Sequence, residues 1–204
     1  FECIMSQLNV DTIGSQTGTT ISIASGHTLD AIAMSLVTSG SVSAVTGLTL
    51  DNVFTSSFTN YLFQFNGQGN SNTIEQVRLR LRASGSTNSD SDHSFTASNT
   101  YYEVGTGSGG GYETDANQSY FQVAGNWVDQ EKFSGQITFQ EPQVSGQSTS
   151  IQYQLGFRYN QNNESYASFN GTGIKEGTGS FDGFYFYIDG SQTMTGNYRL
   201  YGYK

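Results

Sequence analysis

The sequence predicts an all-β fold: an antiparallel, jelly-roll-like β-sandwich preceded by a short N-terminal β segment for oligomerisation and attachment. Apolar and polar side chains alternate along most segments after Leu48, and clusters of Gly, Asn and Ser separate those segments. Aromatic residues make up 14% of the chain and charged residues only 12%, which is typical of a folded domain. No stretch of a dozen residues has a convincing helical period, so we expect strands throughout.

The first 47 residues differ from the rest, and we predict that residues 1–47 form an attachment and oligomerisation segment with its connector. Aromatic residues are nearly absent after Phe1, and short apolar runs such as LNVDTI are separated by glycine. Such a segment buries too little apolar surface to fold alone. It either winds with copies of itself from neighbouring subunits or packs as a plain strand on the main domain. TSGSVSAVTG (Thr38–Gly47) is the predicted connector, and residues 48–204 are the predicted sandwich domain.

The alternation assigns side chains to the two faces of each predicted strand. In NYLFQFNG, Tyr61, Phe63 and Phe65 share one face of a predicted sandwich strand, and Leu62 and Gln64 share the other face. In TIEQVRLRLRASG, valine and leucine alternate with three outward arginines. Further strands are predicted at Phe95–Val104, Ser119–Ala124, Phe133–Gln140, Thr149–Arg158, Gly179–Ile188 and Gly196–Tyr203.

The aromatic run from Gly183 to Lys204, GFYFYIDGSQTMTGNYRLYGYK, predicts a closing β-hairpin whose connection starts at Asp189-Gly190. Phe184 and Phe186 are predicted to be buried, because they alternate with tyrosines on the first strand. The tyrosines suit a subunit interface, stacking on a sugar ring, or a half-exposed strand, and the sequence leaves these three interpretations open. The candidate ligand or interface tyrosines are Tyr185, Tyr187, Tyr201 and Tyr203.

Three arginines on one predicted strand face, Arg78, Arg80 and Arg82, are a second candidate ligand or interface group. They account for three of the eight basic residues, and like charges on one face repel each other. Either acidic or tyrosine side chains of a neighbouring strand or subunit pair with them, or the open face binds a sulfated or phosphorylated surface polymer.

Both ends of the chain resemble a known class of proteins. MSQLNVDTIGSQTGTTISIASGHTL (Met5–Leu29) resembles the opening of many tail-fibre-like and other structural proteins of marine tailed bacteriophages. GSFDGFYFYIDGSQTMTGNYRLYGYK (Gly179–Lys204) is similar to their carboxyl end, and the middle of the chain fits the same pattern. The resemblance implies a homotrimeric virion protein, made in the host cytoplasm and displayed on the phage particle surface. Phe1–Ile4 lie outside the pattern, so we expect no structural role for Cys3 in the natural protein.

The resemblance leaves two main functions open. The first is a non-enzymatic tail-fibre or receptor-binding protein that joins other virion proteins through its N-terminal segment and contacts host cell-surface polysaccharide. The second is a capsid decoration protein, of the cement or head-fibre type, with no ligand. A glycan depolymerase is a minor third alternative, and it would need two carboxylates flanking the scissile bond. The available carboxylates, which lie in no recognisable motif, are Glu103, Glu113, Asp115, Asp129 and Glu131.

Charge and motifs argue against several other classes. The net charge of −9 opposes binding to nucleic acid, and the sequence has neither an apolar run of membrane-spanning length nor a secretion signal, so we expect no membrane insertion. His27 and His93 lack the spacing of zinc ligands, and no cofactor-binding or nucleophile motif is present, so we predict no catalytic residue, cofactor or metal.

Two polar segments are predicted to be turns or loops. NSDSDHS contains Asp90 and Asp92 but lacks the glycine and distal glutamate of a calcium loop, so we predict an ordinary turn rather than a calcium site. GTGSGGGY (Gly105–Tyr112) lacks the Lys-Ser/Thr of a phosphate-binding loop, and we predict a flexible exposed loop.

Overall fold

The computed structural model of the chain describes residues 34–70, 75–103, 107–128, 132–159, 165–177, 179–190 and 192–204. These described residues form thirteen strands in two sheets and no helix, so no helix among them could cross a membrane. The predicted all-β antiparallel sandwich is confirmed, and its jelly-roll connectivity stays a prediction. Most of the predicted N-terminal attachment and oligomerisation segment lies outside the described residues.

Most of the strands are eight to twelve residues long, and they follow one another closely along the chain. They are β1 (Ser35–Val45), β2 (Gly47–Leu50), β3 (Asn60–Gly69), β4 (Glu75–Ala83), β5 (Ser86–Thr87), β6 (His93–Glu103), β7 (Gly107–Gln118), β8 (Phe121–Val128), β9 (Lys132–Gln140), β10 (Thr149–Tyr159), β11 (Ser165–Lys175), β12 (Gly183–Ile188) and β13 (Met194–Tyr203).

Eight strands form the larger sheet, in the order β1-β13-β3-β9-β10-β11-β6-β7. The smaller sheet has five strands, in the order β2-β12-β4-β5, with β8 also paired to β4. Every strand pair in the described chain is antiparallel. The inner faces of the two sheets bury one continuous apolar core, and the two outer faces are left for contacts with other molecules.

Phenylalanine rings from both sheets meet in this core. The ring centre of Phe63 on β3 lies 4.9 Å from that of Phe184 and 5.4 Å from that of Phe186, both on β12. Phe139 on β9 lies 4.9 Å from Phe184. All four side chains are at most 1% exposed, and the inclined ring pairs have the geometry that aromatic quadrupoles favour. The predicted burial of Phe184 and Phe186 is confirmed.

The predicted closing hairpin is wrong, because β12 and β13 belong to different sheets. β12 pairs with β2 and β4, whereas β13 pairs with β1 and β3. The link between Ile188 and Met194 therefore crosses from one sheet to the other, with Gly190 at a φ of +69°. The alternation along each strand is the same in a hairpin and in such a crossing, so the sequence pattern did not distinguish the two.

Two segments predicted to lack strand structure form sheet edges. The connector Thr38–Gly47 lies mostly in β1, which pairs with β13 through two register shifts. The glycine-rich run predicted to be a loop lies mostly in β7, which pairs with β6. Glycine suits β7 because a side chain at Gly109 would collide with the ring of Tyr101 on the neighbouring strand. An edge strand has a partner on one side only, so it needs little apolar alternation.

We predict that Phe184→Ala lowers the free energy of unfolding by about 3–5 kcal/mol, because it leaves a cavity among rings from both sheets. Urea unfolding followed by fluorescence measures the change. Phe184→Leu is the matched control and should cost less, about 1.5 kcal/mol, since it keeps most of the buried volume. Equal losses for the two variants would contradict a core packed around this ring.

Candidate functional site

The predicted arginine group lies on the outer face of the smaller sheet, and two of its members are held by carboxylates. Arg82 makes a two-pronged contact with Asp51, with Nε 2.6 Å from Oδ1 and Nη2 3.2 Å from Oδ2. Nη1 of Arg78 lies 2.8 Å from Oδ2 of Asp189. The pairing interpretation therefore accounts for the contacts of Arg78 and Arg82.

Aromatic rings cover the same outer face. The guanidinium carbon of Arg78 lies 3.9 Å from the ring centre of Tyr120, and that of Arg80 lies 5.5 Å from that of Tyr187. The rings of Tyr185 and Tyr187 stack with centres 4.7 Å apart. Burial raises the pKa of the Tyr187 phenol, and the two neighbouring arginines oppose that change. An anionic ligand at this crowded face stays a prediction.

The other two predicted tyrosines lie elsewhere. Tyr201 and Tyr203 are on β13, where they pair across the strands with Leu62 and Asn60 on the outer face of the larger sheet. The seven residues selected from the sequence therefore do not form one site. Five lie on the outer face of the smaller sheet and two on the opposite outer face.

The outer face of the larger sheet carries a row of side-chain amides that the sequence analysis missed. Gln64 on β3 pairs with Gln136 on β9, Gln136 with Gln154 on β10, and Gln154 with Asn170 on β11. Neighbouring strands are about 4.8 Å apart, so the four amides form a ladder that crosses the sheet. We term these four residues the amide row. Arg199 on β13 pairs with Gln64 and continues the row at one end.

The amide row has hydrogen-bonding capacity to spare. Within the described part of the chain, no side-chain hydrogen bond uses the amide of any of these four residues. Gln136 and Gln154 are exposed, and Gln64 and Asn170 are partly exposed. Each amide offers a carbonyl acceptor and two N–H donors, so the row presents donors and acceptors side by side toward solvent.

A groove follows the amide row. Three adjoining depressions of about 480, 350 and 450 Å³ lie along the face from β13 to β11. Gln64 lines the first two, and Gln136 and Gln154 line the second and third, so the depressions are continuous. Gly156 also lines the groove, and a Cβ added there would meet no atom within 4 Å.

Three tyrosines on the same face are more exposed than any tyrosine predicted from the sequence. Tyr112 on β7 is 88% exposed, Tyr166 on β11 is 56% and Tyr102 on β6 is 52%. Tyr166 and Tyr102 pair directly across neighbouring strands. Tyr112 pairs with Ser98, which pairs with Asn170, so Tyr112 extends the amide row toward the sheet edge. We term Tyr102, Tyr112 and Tyr166 the tyrosine platform.

Among the described strand positions, this face carries few charged side chains, and all of them are basic, although the chain is acidic. The chain has 17 acidic and 8 basic residues, yet the described strand positions that point outward from the larger sheet include no Asp or Glu. The charged side chains at those positions are Lys132, Arg158 and Arg199. The acidic residues that the structure describes lie at other positions, and the outward strand positions of this face are mainly amides, hydroxyls and phenol rings.

The acidic segment NSDSDHS forms a bend that leads into the start of β6, next to an ion pair made by the buried Lys175. The Asn88 side chain bonds to Asp90 two residues along, and the carboxylate of Asp92 accepts a hydrogen bond from the buried Lys175 ammonium. Among the described residues, no three His, Cys, Asp or Glu side chains come together as metal ligands. The carboxylate of Asp92 is thus already paired within the chain.

His93 is buried beside this ion pair. Its Nδ1 lies 3.2 Å from the carbonyl of Asp90 and 3.0 Å from that of Gln118, and its ring packs edge-on against Phe121 with centres 4.8 Å apart. Two carbonyl acceptors hold the proton on Nδ1, which leaves the buried Nε2 without a partner. Burial lowers the pKa of His93 below its ordinary 6.5, and the Asp90 carbonyl and the Asp92 carboxylate oppose the change.

The carboxylates considered for glycan hydrolysis are not brought together on the grooved face. Glu113 lies on the inner side of β7, where Gln122 of β8 donates a hydrogen bond to it and burial raises its pKa. Asp115 shares the inward phase of β7. Asp129 and Glu131 lie outside the described residues, as does the side chain of Glu103.

No family model, curated protein or solved structure matches this chain. A β-sandwich hosts many unrelated functions, so its function must be argued from its sites. Two outer faces are available for that argument. The arginines of the smaller sheet are engaged by neighbouring side chains, whereas the amides of the larger sheet face an open groove.

We predict that acidification from about pH 7.5 to about pH 5.5 lowers the free energy of unfolding through His93. The unfolded imidazole binds a proton as the pH falls below 6.5, whereas the folded imidazole resists protonation, so stability falls by up to about 1.4 kcal/mol per pH unit in that window. Urea titrations at the two pH values measure it.

His93→Asn keeps an N–H donor for the two carbonyls and removes the titration, so its stability should change less over the same interval. His27→Gln is the control, since His27 is the other histidine of the chain. An unchanged pH dependence in His93→Asn would assign the effect to other groups.

Proposed function

We propose that this chain is a non-catalytic surface protein of a phage virion and that it binds polysaccharide of the host cell surface. The observation that carries the proposal is the amide row above a continuous groove on the larger sheet. Sugar hydroxyls donate and accept hydrogen bonds at the same time. Side-chain amides are neutral groups that can accept and donate hydrogen bonds in return. Binding sites typically combine such polar groups with aromatic surface, which the tyrosine platform supplies.

The chemistry of the groove supports binding rather than hydrolysis. Glycoside hydrolysis uses a carboxylic acid and a carboxylate on either side of the scissile bond. The groove is lined instead by amides, hydroxyls and the guanidinium of Arg199. The non-catalytic part of the proposal is tested by incubating the protein with the polysaccharide it binds and assaying reducing ends, which should not increase.

The virion location and the homotrimer are proposed from the resemblance of both chain ends to phage structural proteins. β1 belongs to the larger sheet, so we place the coupling role in the residues before Met34. Those residues would also join other virion proteins. The capsid decoration alternative shares the location but predicts no ligand, so a glycan-binding measurement separates the two functions.

We expect the purified chain to bind a subset of bacterial surface polysaccharides on a glycan array, and to compete with the phage for adsorption to sensitive cells. Immunogold labelling of particles with an antibody to the chain should mark the tail rather than the capsid. Heat-unfolded protein is the control for non-specific adhesion. Capsid labelling together with an empty array would support the decoration alternative and contradict this proposal.

We also expect a version beginning at Met34 to be folded but monomeric, while the full chain is a trimer in multi-angle light scattering. This version keeps β1 and hence the β1–β13 pairing, so its melting should remain cooperative. A version beginning at Leu48 is the comparison, because it removes β1 and exposes the edge of β13. If the version beginning at Met34 is still a trimer, the subunits associate through the sandwich and not through the residues before Met34.

A further inference from the structure

We infer that the groove and Tyr112 form one open-ended site that binds an internal stretch of an extended, uncharged polysaccharide lying across the strands. The inference rests on the proposed glycan binding and deepens it, because it names the class of polymer, its direction and the part of it that is recognised. Four features of the larger sheet carry it: the line of the amide row, the open ends of the groove, the charge of the face and its polarity.

The amide row sets the direction. The paired residues of neighbouring strands lie on a line perpendicular to the strands, and the groove follows this line from β13 to β11. Four strand spacings separate β13 from β11, which is about 19 Å, and Tyr112 on β7 lies two spacings further along the sheet, at about 29 Å. A site of that length matches several consecutive sugar units rather than one.

The ends of the groove determine which part of a polymer fits. At the β13 end, Arg199 pairs with Ser39 of the edge strand β1, a small residue that forms no wall. At the other end the sheet stops at the edge strand β7 with Tyr112 standing exposed. A chain can therefore continue past either end, so the site accepts the interior of a polymer and does not require a terminal sugar.

The low charge of the amide row favours an uncharged polymer. The members of the row are neutral, and of the three basic side chains at described outward positions only Arg199 lines the groove, at its β13 end. The net charge of −9 opposes the approach of an anionic polymer over longer distances. Hydrogen bonds from amides and stacking on phenol rings recognise hydroxyl groups and sugar faces without needing a charge.

The same polarity argues against a second copy of the chain as the occupant. The buried centre of a stable subunit interface is apolar, and burying amides without partners costs free energy at each group. The groove also leaves unfilled space at Gly156, where an added Cβ would meet no atom within 4 Å. A sugar chain satisfies the amides and fills that space, and a flat protein surface does neither.

The first experiment is a length series of linear neutral gluco-, manno-, xylo- and galacto-oligosaccharides, from disaccharide to octasaccharide, titrated into the full chain by calorimetry. For the series that binds, we expect the affinity to rise with each added unit and to level off once the groove is filled. Dextran sulfate should not compete, and raising the salt concentration should leave the affinity unchanged, since no ion pairs are involved.

The second experiment blocks the groove. Gly156→Trp places a large ring in open space on a strand, where aromatic residues are favoured, so the protein should stay folded. We expect it to weaken binding at least about tenfold by occluding the groove. Thr49→Trp, at an exposed position of β2 in the smaller sheet, is the matched control and should bind like the parent chain. Gln136→Ala and Tyr112→Ala should each weaken binding about threefold to tenfold.

Several outcomes would overturn the inference while leaving the proposed function intact. If array polysaccharides bind Gly156→Trp as well as the parent, the ligand uses another face. If a disaccharide binds as tightly as an octasaccharide, the site recognises a terminal or short sugar unit and not the interior of a polymer. If only dextran sulfate binds, the polymer is anionic. A loss of oligomer in Gly156→Trp would make the groove a subunit interface. No binding of the parent chain to any polysaccharide or to host cells would remove the proposed function itself.

Discussion

The core between the sheets fixes what the outer faces can present. Phe63 pairs with Ile137 across β3 and β9, and both side chains are buried against β12. Because successive side chains of a strand point to opposite faces, this pairing puts the next residues, Gln64 and Gln136, side by side on the outside. A slip of one residue would bury the glutamines and expose the phenylalanine, so the free energy of core packing also holds the amide row in register.

The two outer faces of the sandwich use their polar groups differently. On the smaller sheet, carboxylates and phenol rings of the same chain contact the arginines. The positive charge of the arginines is therefore largely balanced within the chain. On the larger sheet, the amides point to solvent above a groove. The sequence predicted arginine and tyrosine as ligand contacts. Where these residues cluster, on β4 and β12, they contact each other and neighbouring carboxylates instead. The tyrosines that remain exposed are on β6, β7 and β11.

Alternation within a strand was enough to predict β3, β4, β9 and β10, and the inward residues of β4, because each strand has three or more large apolar side chains in phase. It failed for β11, where glycines occupy inward positions: Gly171 makes room for the ring of Tyr153 on β10. The amide row could not be predicted from the sequence for a related reason. The amide row takes one residue from each of four strands, and pairing alone brings them together. The phase of Tyr166 with Ser168 and Asn170 was the one available signal of its exposure.

A site built on strands has energetic consequences for the proposed binding. The backbone under the amide row is already ordered by pairing on both sides, so binding costs mainly the rotamer freedom of the glutamine side chains. Each neutral hydrogen bond to a sugar returns only about 1 kcal/mol, which makes the contribution per sugar unit small. Affinity must then come from the number of units bound in one groove and from the number of grooves engaged at once. The proposed homotrimer would multiply such weak contacts on a repeating polymer through effective concentration, so the proposed trimer and the proposed open-ended site would reinforce each other.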